Sequence, residues 1–170
     1  MALRLGEIVL VDTNVLIEAY KVGCLRAIAP RYKIHTVEKC IEETQTGFQR
    51  RKPEEQIDQQ ELRGLVSSVA NVTPLEEATL ILSLPNGPFL DDGERHLLAH
   101  AAARKDAWHL CGPDKALIRA AHNLGWLDRI VSLEEMADKC GVGPRQLARL
   151  GANYKKDWLS RLRTELILAL

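Results

Sequence analysis

The run Ile8-Val9-Leu10-Val11, closed abruptly by Asp12, constrains this chain more than any other stretch of it. A continuous aliphatic run rich in β-branched residues suits a strand covered on both faces, as in a parallel sheet, because a half-exposed strand would alternate apolar with polar. Val15, Leu16, Ala19 and Tyr20 then recur at helical spacing up to Gly23, so the opening reads strand, polar turn, helix. The same order returns downstream. A second strand is expected at Lys33 to Thr36, followed by a helix with Val37, Cys40, Ile41 and Thr44 on one side that ends near Gly47. After the break Pro85-Asn86-Gly87-Pro88, a helix opens at Asp91, carries Leu97, Leu98, Ala101 and Ala102 inward and ends around Lys105. Trp108 to Cys111 reads as a strand, Gly112-Pro113-Asp114 as a turn, and Lys115 to Leu124 as a helix with Leu117, Ile118 and Ala121 apolar; Ile130 to Leu133 reads as a last strand. Strands alternating with helices imply right-handed βαβ units, hence an α/β fold: a three-layer α/β/α sandwich around a parallel sheet.

The remaining stretches are less regular. Gln49 to Gly64 is strongly polar and reads as a solvated excursion, although Pro53 could open a helix from Glu54. Val66 to Val72 is open between a strand and the end of a helix, and Pro74 to Leu84 reads helical. From Glu134 the pattern turns wholly helical. One segment runs to Cys140, Gly141-Val142-Gly143-Pro144 breaks it, and after a short helix Tyr154 to Leu170 carries Trp158, Leu162, Leu166 and Ala169 at a spacing near four.

At 170 residues the chain has the size of one domain. Two parts are expected within it: an α/β domain over 1–133 and a helical C-terminal extension over 134–170, packed on the same domain or on a partner. Lys plus Arg and Asp plus Glu are both 23, so the formal net charge is zero and no global field draws the chain to nucleic acid or membrane. Cys24, Cys40, Cys111 and Cys140 match neither zinc-ligand spacing nor a dense disulfide framework, which points to reduced, mostly buried thiols. The N-terminus offers only four unbroken apolar residues before an acid, neither a signal peptide nor a membrane span, and the expected location is cytoplasmic.

In open α/β sheets ligands bind beyond the carboxyl ends of the strands, and several acids fall there. Asp12 follows the first strand, Glu42 and Glu43 lie on the helix after the second, Asp91, Asp92 and Glu94 open a later helix, and Asp114 follows Trp108 to Cys111. If these strands are neighbours the carboxylates share one rim. Two carboxylates 4 Å apart repel by roughly 4 kcal/mol at an effective dielectric near 20, so such a cluster needs protons or a divalent cation. Oxygen ligands without a nearby His or Cys pair favour Mg²⁺ or Mn²⁺ over zinc; His96 and His100, at i and i+4, have no third partner. A hard dication of this kind lowers the pKa of a bound water and neutralises a leaving oxygen, which is the chemistry of phosphodiester hydrolysis.

Four stretches together resemble the PIN-domain nucleases, a family that includes the VapC-like ribonuclease toxins: VDTNVLIEA at 11–19, KCIEET at 39–44, LDDGERHLLAHA at 90–101 and CGPDKALIRAA at 111–121. The resemblance covers roughly residues 7–133 and leaves the tail from Glu134 unmatched. It implies a PIN-like nuclease domain and a Mg²⁺- or Mn²⁺-dependent endoribonuclease acting on single-stranded or structured RNA. By the same resemblance Asp12, Glu43, Glu94 and Asp114 are the catalytic, metal-binding acids, with Glu42 the fallback for Glu43. Asn14 and Asp91 would support them, Asn14 by steadying Asp12 and Asp91 through a water; from their position alone, one turn apart beside Asp114, Lys115 and Arg119 could hold a phosphate. Many relatives are homodimers, and toxins among them are silenced by an antitoxin protein, so both partners are expectations here.

Plainer roles compete for each residue. Asp12, Asp91, Asp92 and Asp114 all stand where an acid caps a helix, and Asp91 with Glu94 spells a capping box. Arg50-Arg51-Lys52 reads as a solvated loop rather than a grip on phosphate, given Glu54 and Glu55 beside it, and Trp158 fits a core or partner contact. The rival to the nuclease is therefore a non-catalytic nucleic-acid-binding or protein-interaction module of the same fold. A haloacid dehalogenase-type phosphohydrolase wants Asp-x-Asp where this chain has Asp12-Thr13-Asn14.

Overall fold

The computed structural model describes residues 2–84 and 89–169, so the break at Pro85-Asn86-Gly87-Pro88 lies outside the described residues. Four strands, β1 (Ile8–Val11), β2 (Lys33–Val37), β3 (Ser68–Ala70) and β4 (His109–Cys111), form one sheet in the order β3-β2-β1-β4. Every pairing is parallel, with Leu10 opposite His35 on one side and Leu110 on the other. The helices are α1 (Thr13–Val22), α2 (Leu25–Ile28), α3 (Glu38–Thr44), α4 (Gln59–Leu65), α5 (Pro74–Ser83), α6 (Asp92–Ala103), α7 (Lys115–Asn123), α8 (Leu133–Lys139), α9 (Pro144–Leu147) and α10 (Lys156–Leu168).

The unbroken apolar run of β1 is explained by helices on both faces. Val9 and Val11, with Ile34 and Cys111, enter one cluster beside Val15, Leu16 and Ala19 of α1 and Met136 and Ala137 of α8. Leu10, with Val37 and Leu110, points the other way, into Leu97 and Leu98 of α6, Leu117 and Ile118 of α7, and Leu159 and Leu162 of α10. Each such side chain contributes about 1.5–3 kcal/mol on full burial, so a polar residue at 9, 10 or 11 would be costly on either face. The result is an α/β fold with an all-parallel sheet, compatible with a three-layer sandwich. Gly23 ends α1 in the left-handed region at φ 81°, where its N–H bonds Tyr20 O and that of Cys24 bonds Ala19 O, both at 2.9 Å.

Several boundaries differ from the sequence expectations. The polar stretch 49–64 is not merely a solvated excursion: it holds α4 and buries Ile57 and Leu62, two apolar residues too far apart to show a helical period. Pro53 opens only the short 3₁₀ turn Pro53–Glu55. The strand expected at Ile130 to Leu133 shrinks to a single bridge between Ile130 and Leu110, because Ser132 caps α8 and Leu133 is its first residue. Ala102 and Ala169 are exposed rather than inward, and Trp158 and Leu166 are half-buried. Cys24, Cys40 and Cys111 are buried free thiols, and Cys140 is a half-buried one. No helix among the described residues is long and apolar enough to cross a membrane.

The strand order fixes where a site can form. From β1 the chain moves outward to β2 and then β3, and it returns to place β4 on the opposite side of β1. The loops after β1 and β4 therefore lead to helices on diverging paths, and the crevice between them is the switch point at which ligands bind in open parallel sheets.

Candidate functional site

Asp12 stands at that switch point. Its backbone N–H bonds Cys111 O at 3.2 Å, tying the end of β1 to the end of β4, and its carboxylate caps α1 by accepting the Asn14 N–H at 3.1 Å. The residue is only 2% exposed. Burial pushes its carboxyl up to about 7; the Asn14 and Thr13 backbone N–H groups pull it down, and the negative charges of Asp91 and Glu43 push it up.

Glu43 reaches the same crevice from α3. One carboxylate oxygen accepts the Thr13 hydroxyl at 2.7 Å and the other accepts the Gly93 N–H at 3.0 Å. Gly93 is glycine for want of space: a Cβ there would collide with the Glu43 carboxylate. Glu42 turns outward to Lys39, 3.5 Å away, and Asp92 pairs with Arg95 at 2.7 Å, so neither acid belongs to the crevice. Arg51 donates to the carbonyls of Thr44 and Glu43 at 2.5 and 2.8 Å, closing the C-terminus of α3 that carries Glu43. Within the basic run 50–52 it is thus bound to the protein's own backbone.

Asp91 and Glu94 come from the start of α6 as a reciprocal capping box. Glu94 N donates to Asp91 Oδ1 at 2.8 Å and Asp91 N to Glu94 Oε2 at 3.1 Å. Glu94 is 5% exposed. Burial, then the charge of Asp91, and behind it those of Asp114 and Asp12, lift its carboxyl to about 8. Asp114 caps α7 by accepting the Ala116 N–H at 2.6 Å, and it is exposed, as are Lys115, Arg119 and Asn14. Asn14 steadies Asp12 through its backbone N–H.

Four of the expected acids and Asp91 therefore belong to one electrostatic neighbourhood, with no cation among the leading influences on Asp12 or Glu94. Chemically the donor set fits a hard dication: it is all oxygen, crowded and short of positive charge. Geometrically it is not a ready-made ligand set, because among the described residues no three His, Cys, Asp or Glu side chains come together as a group that could hold a metal ion. The carboxylates are engaged with backbone N–H groups and with Thr13 instead. His96 faces Glu77 at 3.7 Å while His100 lies 3.1 Å from Arg104, so the two histidines do not converge on a ligand.

Thr13 and Gly93 are the residues holding Glu43 in the crevice that sequence reasoning did not assign. A hydroxyl directly after the first acid and a glycine directly before Glu94 were both legible. That both would meet Glu43 was not, because only the crossovers bring 13, 43 and 93 together. Compared with protein-family models, with curated proteins and with solved structures, the chain matches none.

Proposed function

We propose that this chain is a metal-dependent phosphodiesterase, an endoribonuclease of the PIN-domain type. What supports the reading most is the crevice itself: where strand order opens the sheet, the buried Asp12 and Glu94 carboxyls are pushed up by burial and by the negative charges of Asp91, Glu43 and Asp114 around them. Buried acids carrying no cation are stable at neutral pH only by holding protons or by binding a positive ion. Asp12, Glu43 and Glu94 would hold Mg²⁺ or Mn²⁺, with Asp91 and Asp114 at its edge. Bound there, the ion would activate a water and neutralise the leaving oxygen. The protein's own part is to orient these carboxylates from four segments, to keep bulk water from Asp12, and to present Lys115 and Arg119 to a phosphate of the substrate. RNA as substrate, an antitoxin as partner, a toxin role and a homodimer all follow from the resemblance of the four motifs.

One observation favours the second reading, a non-catalytic binding module. The carboxylates of Asp12, Asp91, Glu94 and Asp114 each accept a backbone N–H as helix caps do, and the three-ligand group is absent among the described residues. Mn²⁺ titration followed by melting separates the two, since an ion that binds only the folded state raises Tm. The nuclease predicts a rise in wild type and none in Asp12→Asn, together with Mn²⁺-dependent cleavage of a labelled single-stranded RNA. A flat melting response with no cleavage would leave the binding module standing.

A further inference from the structure

The C-terminal segment, which the four motifs do not reach, grips both walls of the crevice. The Tyr154 hydroxyl donates to Asn14 O at 3.3 Å, in the first turn of α1, and the Gly151 N–H donates to the buried Glu18 carboxylate at 2.8 Å, one turn further on. Asn153 Nδ2 reaches Pro113 O at 3.5 Å, on the loop after β4 and one residue before Asp114. Three residues within 151–154 thus touch α1 and the loop after β4, the two segments that diverge at the switch point. Asn14 links this contact to the acid, for its carbonyl takes the Tyr154 hydroxyl while its N–H is the one that Asp12 accepts.

The grip is anchored. The Lys156 N–H donates to Glu134 at 2.8 Å, its ammonium meets Asp138 at 2.6 Å, and Leu159 and Leu162 of α10 are buried against α7 and β4. Tyr154 packs closely over Gly151, where an added Cβ would lie 3.2 Å from the ring. The segment is therefore held by its own contacts and not only by those it makes to the rim.

We infer that residues 151–154 form a strap across the site and that Tyr154 is a positioning residue, which fixes the first turn of α1 and through it the orientation of Asp12. The activity half of this inference rests on the nuclease reading; the structural half does not. A hydroxyl that orders one helical turn contributes a hydrogen bond of modest size, so its loss costs about fivefold in rate rather than abolishing it.

The test uses the full chain with two substitutions. Tyr154→Phe removes the hydroxyl and keeps the ring, whereas Lys156→Ala removes only the half-exposed, solvent-screened ion pair to Asp138, keeps the backbone bond to Glu134, and does not touch the rim. Tyr154→Phe is expected to lower kcat for Mn²⁺-dependent RNA cleavage about fivefold with KM unchanged, and to speed amide hydrogen exchange at Leu16 to Glu18 but not in α5. Lys156→Ala is expected to leave kcat and the exchange of α1 at wild-type values. Equal effects of the two substitutions, or unchanged exchange at Leu16 to Glu18 in Tyr154→Phe, would overturn the strap. Should wild type cleave no RNA, the nuclease reading fails alone, and the exchange measurement still decides the strap.

Discussion

The two edges of the sheet treat charge in opposite ways. At the edge where the strands begin, acids have basic or imidazole partners. Glu7 accepts from Nε2 of the buried His109 at 3.0 Å, and Asp106 accepts two bonds from Arg104, at 2.9 and 2.6 Å. Arg104 also donates toward His35 and His100, which burial and its positive charge hold below the ordinary histidine range. At the edge where the strands end, the crevice acids Asp12, Glu43, Asp91 and Glu94, unlike Glu42 and Asp92 outside it, are held by N–H and O–H donors, with no ion pair to a cation among the described residues. Charges that serve only the fold acquire partners, since an unpaired buried charge costs several kcal/mol. The edge that keeps acids unpaired sacrifices stability, and a binding site is the physical reason a protein would tolerate that.

The sharpest test of that contrast is Asp12→Asn. Asparagine keeps an oxygen to accept the Asn14 N–H but carries no charge, so cap and volume survive while the electrostatic conflict disappears. Labelled-RNA assays in Mn²⁺ should lose about 10³-fold in rate, since a metal centre supplies several kcal/mol of charge stabilisation. In the metal-free state the same variant should melt higher than wild type at pH 8 and no higher at pH 4. A variant that melts lower at pH 8 would mean that the Asp12 charge supports the fold, and the two edges would not differ as described.

The edges should also respond to pH with opposite signs. The Asp12 carboxyl stands at about 7 when folded, against about 4 when unfolded, so the folded state holds the extra proton between those values. Its contribution to stability is complete below about pH 4 and is lost as pH rises through 7, a swing of about 4 kcal/mol, and Glu94 extends the window to about 8. Asp106, bonded by Arg104, lies below the usual carboxylate range and stabilises above it, losing that contribution as pH falls. Denaturant titrations of metal-free protein from pH 4.5 to 8.5 should therefore show stability declining with pH. If the proposed site holds the ion, saturating Mn²⁺ should flatten or reverse the slope, because an ion bound there would favour the ionised carboxylates. A rising metal-free slope would contradict the raised carboxyls.

Gly93→Ala probes how tightly the acidic edge is packed. A methyl group on the Glu43 carboxylate costs about 1–3 kcal/mol by overpacking, and Glu43 has to leave the bonds it receives from Thr13 and Gly93. Melting several degrees lower, with a diminished Mn²⁺ shift, is the expected result. An undiminished shift would remove Glu43 from the ligand set.

How much of this could be read from the sequence follows from what each feature depends on. β1, α1, α6 and α7 were legible because their periodicity and caps are local: Asp12, Asp91 and Asp114 are caps in the structure too. The burial of Ile57 and Leu62 was not, since two isolated apolar residues in a polar stretch carry no period, and only the tertiary fold gives them a core to enter. The strand expected at Ile130 to Leu133 shrinks although Ile130, Val131 and Leu133 are apolar enough for one, because Ser132 and Leu133 are taken by the cap and first turn of α8. Within the site, which residues stand at strand ends was legible. Their partners, Thr13 with Glu43 and Tyr154 with Asn14, lie 30 and 140 positions apart, and no local pattern reports such pairs.

The smallest expected effect belongs to the opposite edge. Glu7→Gln removes the charge facing His109 but leaves an oxygen to accept its Nε2–H, and the Glu7 side chain is 37% exposed, so solvent already screens the pair. Burial raises the Glu7 carboxyl, and the Arg4 N–H together with His109 more than offsets that, so it lies below the ordinary glutamate value. Stability at pH 7 should fall by about 1 kcal/mol or less, and the penalty should fade as acid protonates Glu7 in the wild type. RNA cleavage and the Mn²⁺-induced shift should not change, because Glu7 precedes β1 whereas the acids follow it, and β1 separates them with three buried residues, Val9, Leu10 and Val11. Stability measured at pH 7 and pH 4, with cleavage at pH 7, checks both halves. A loss of cleavage in Glu7→Gln would show that the sheet transmits between its edges, and the paired edge would then have to be counted part of the site it faces away from.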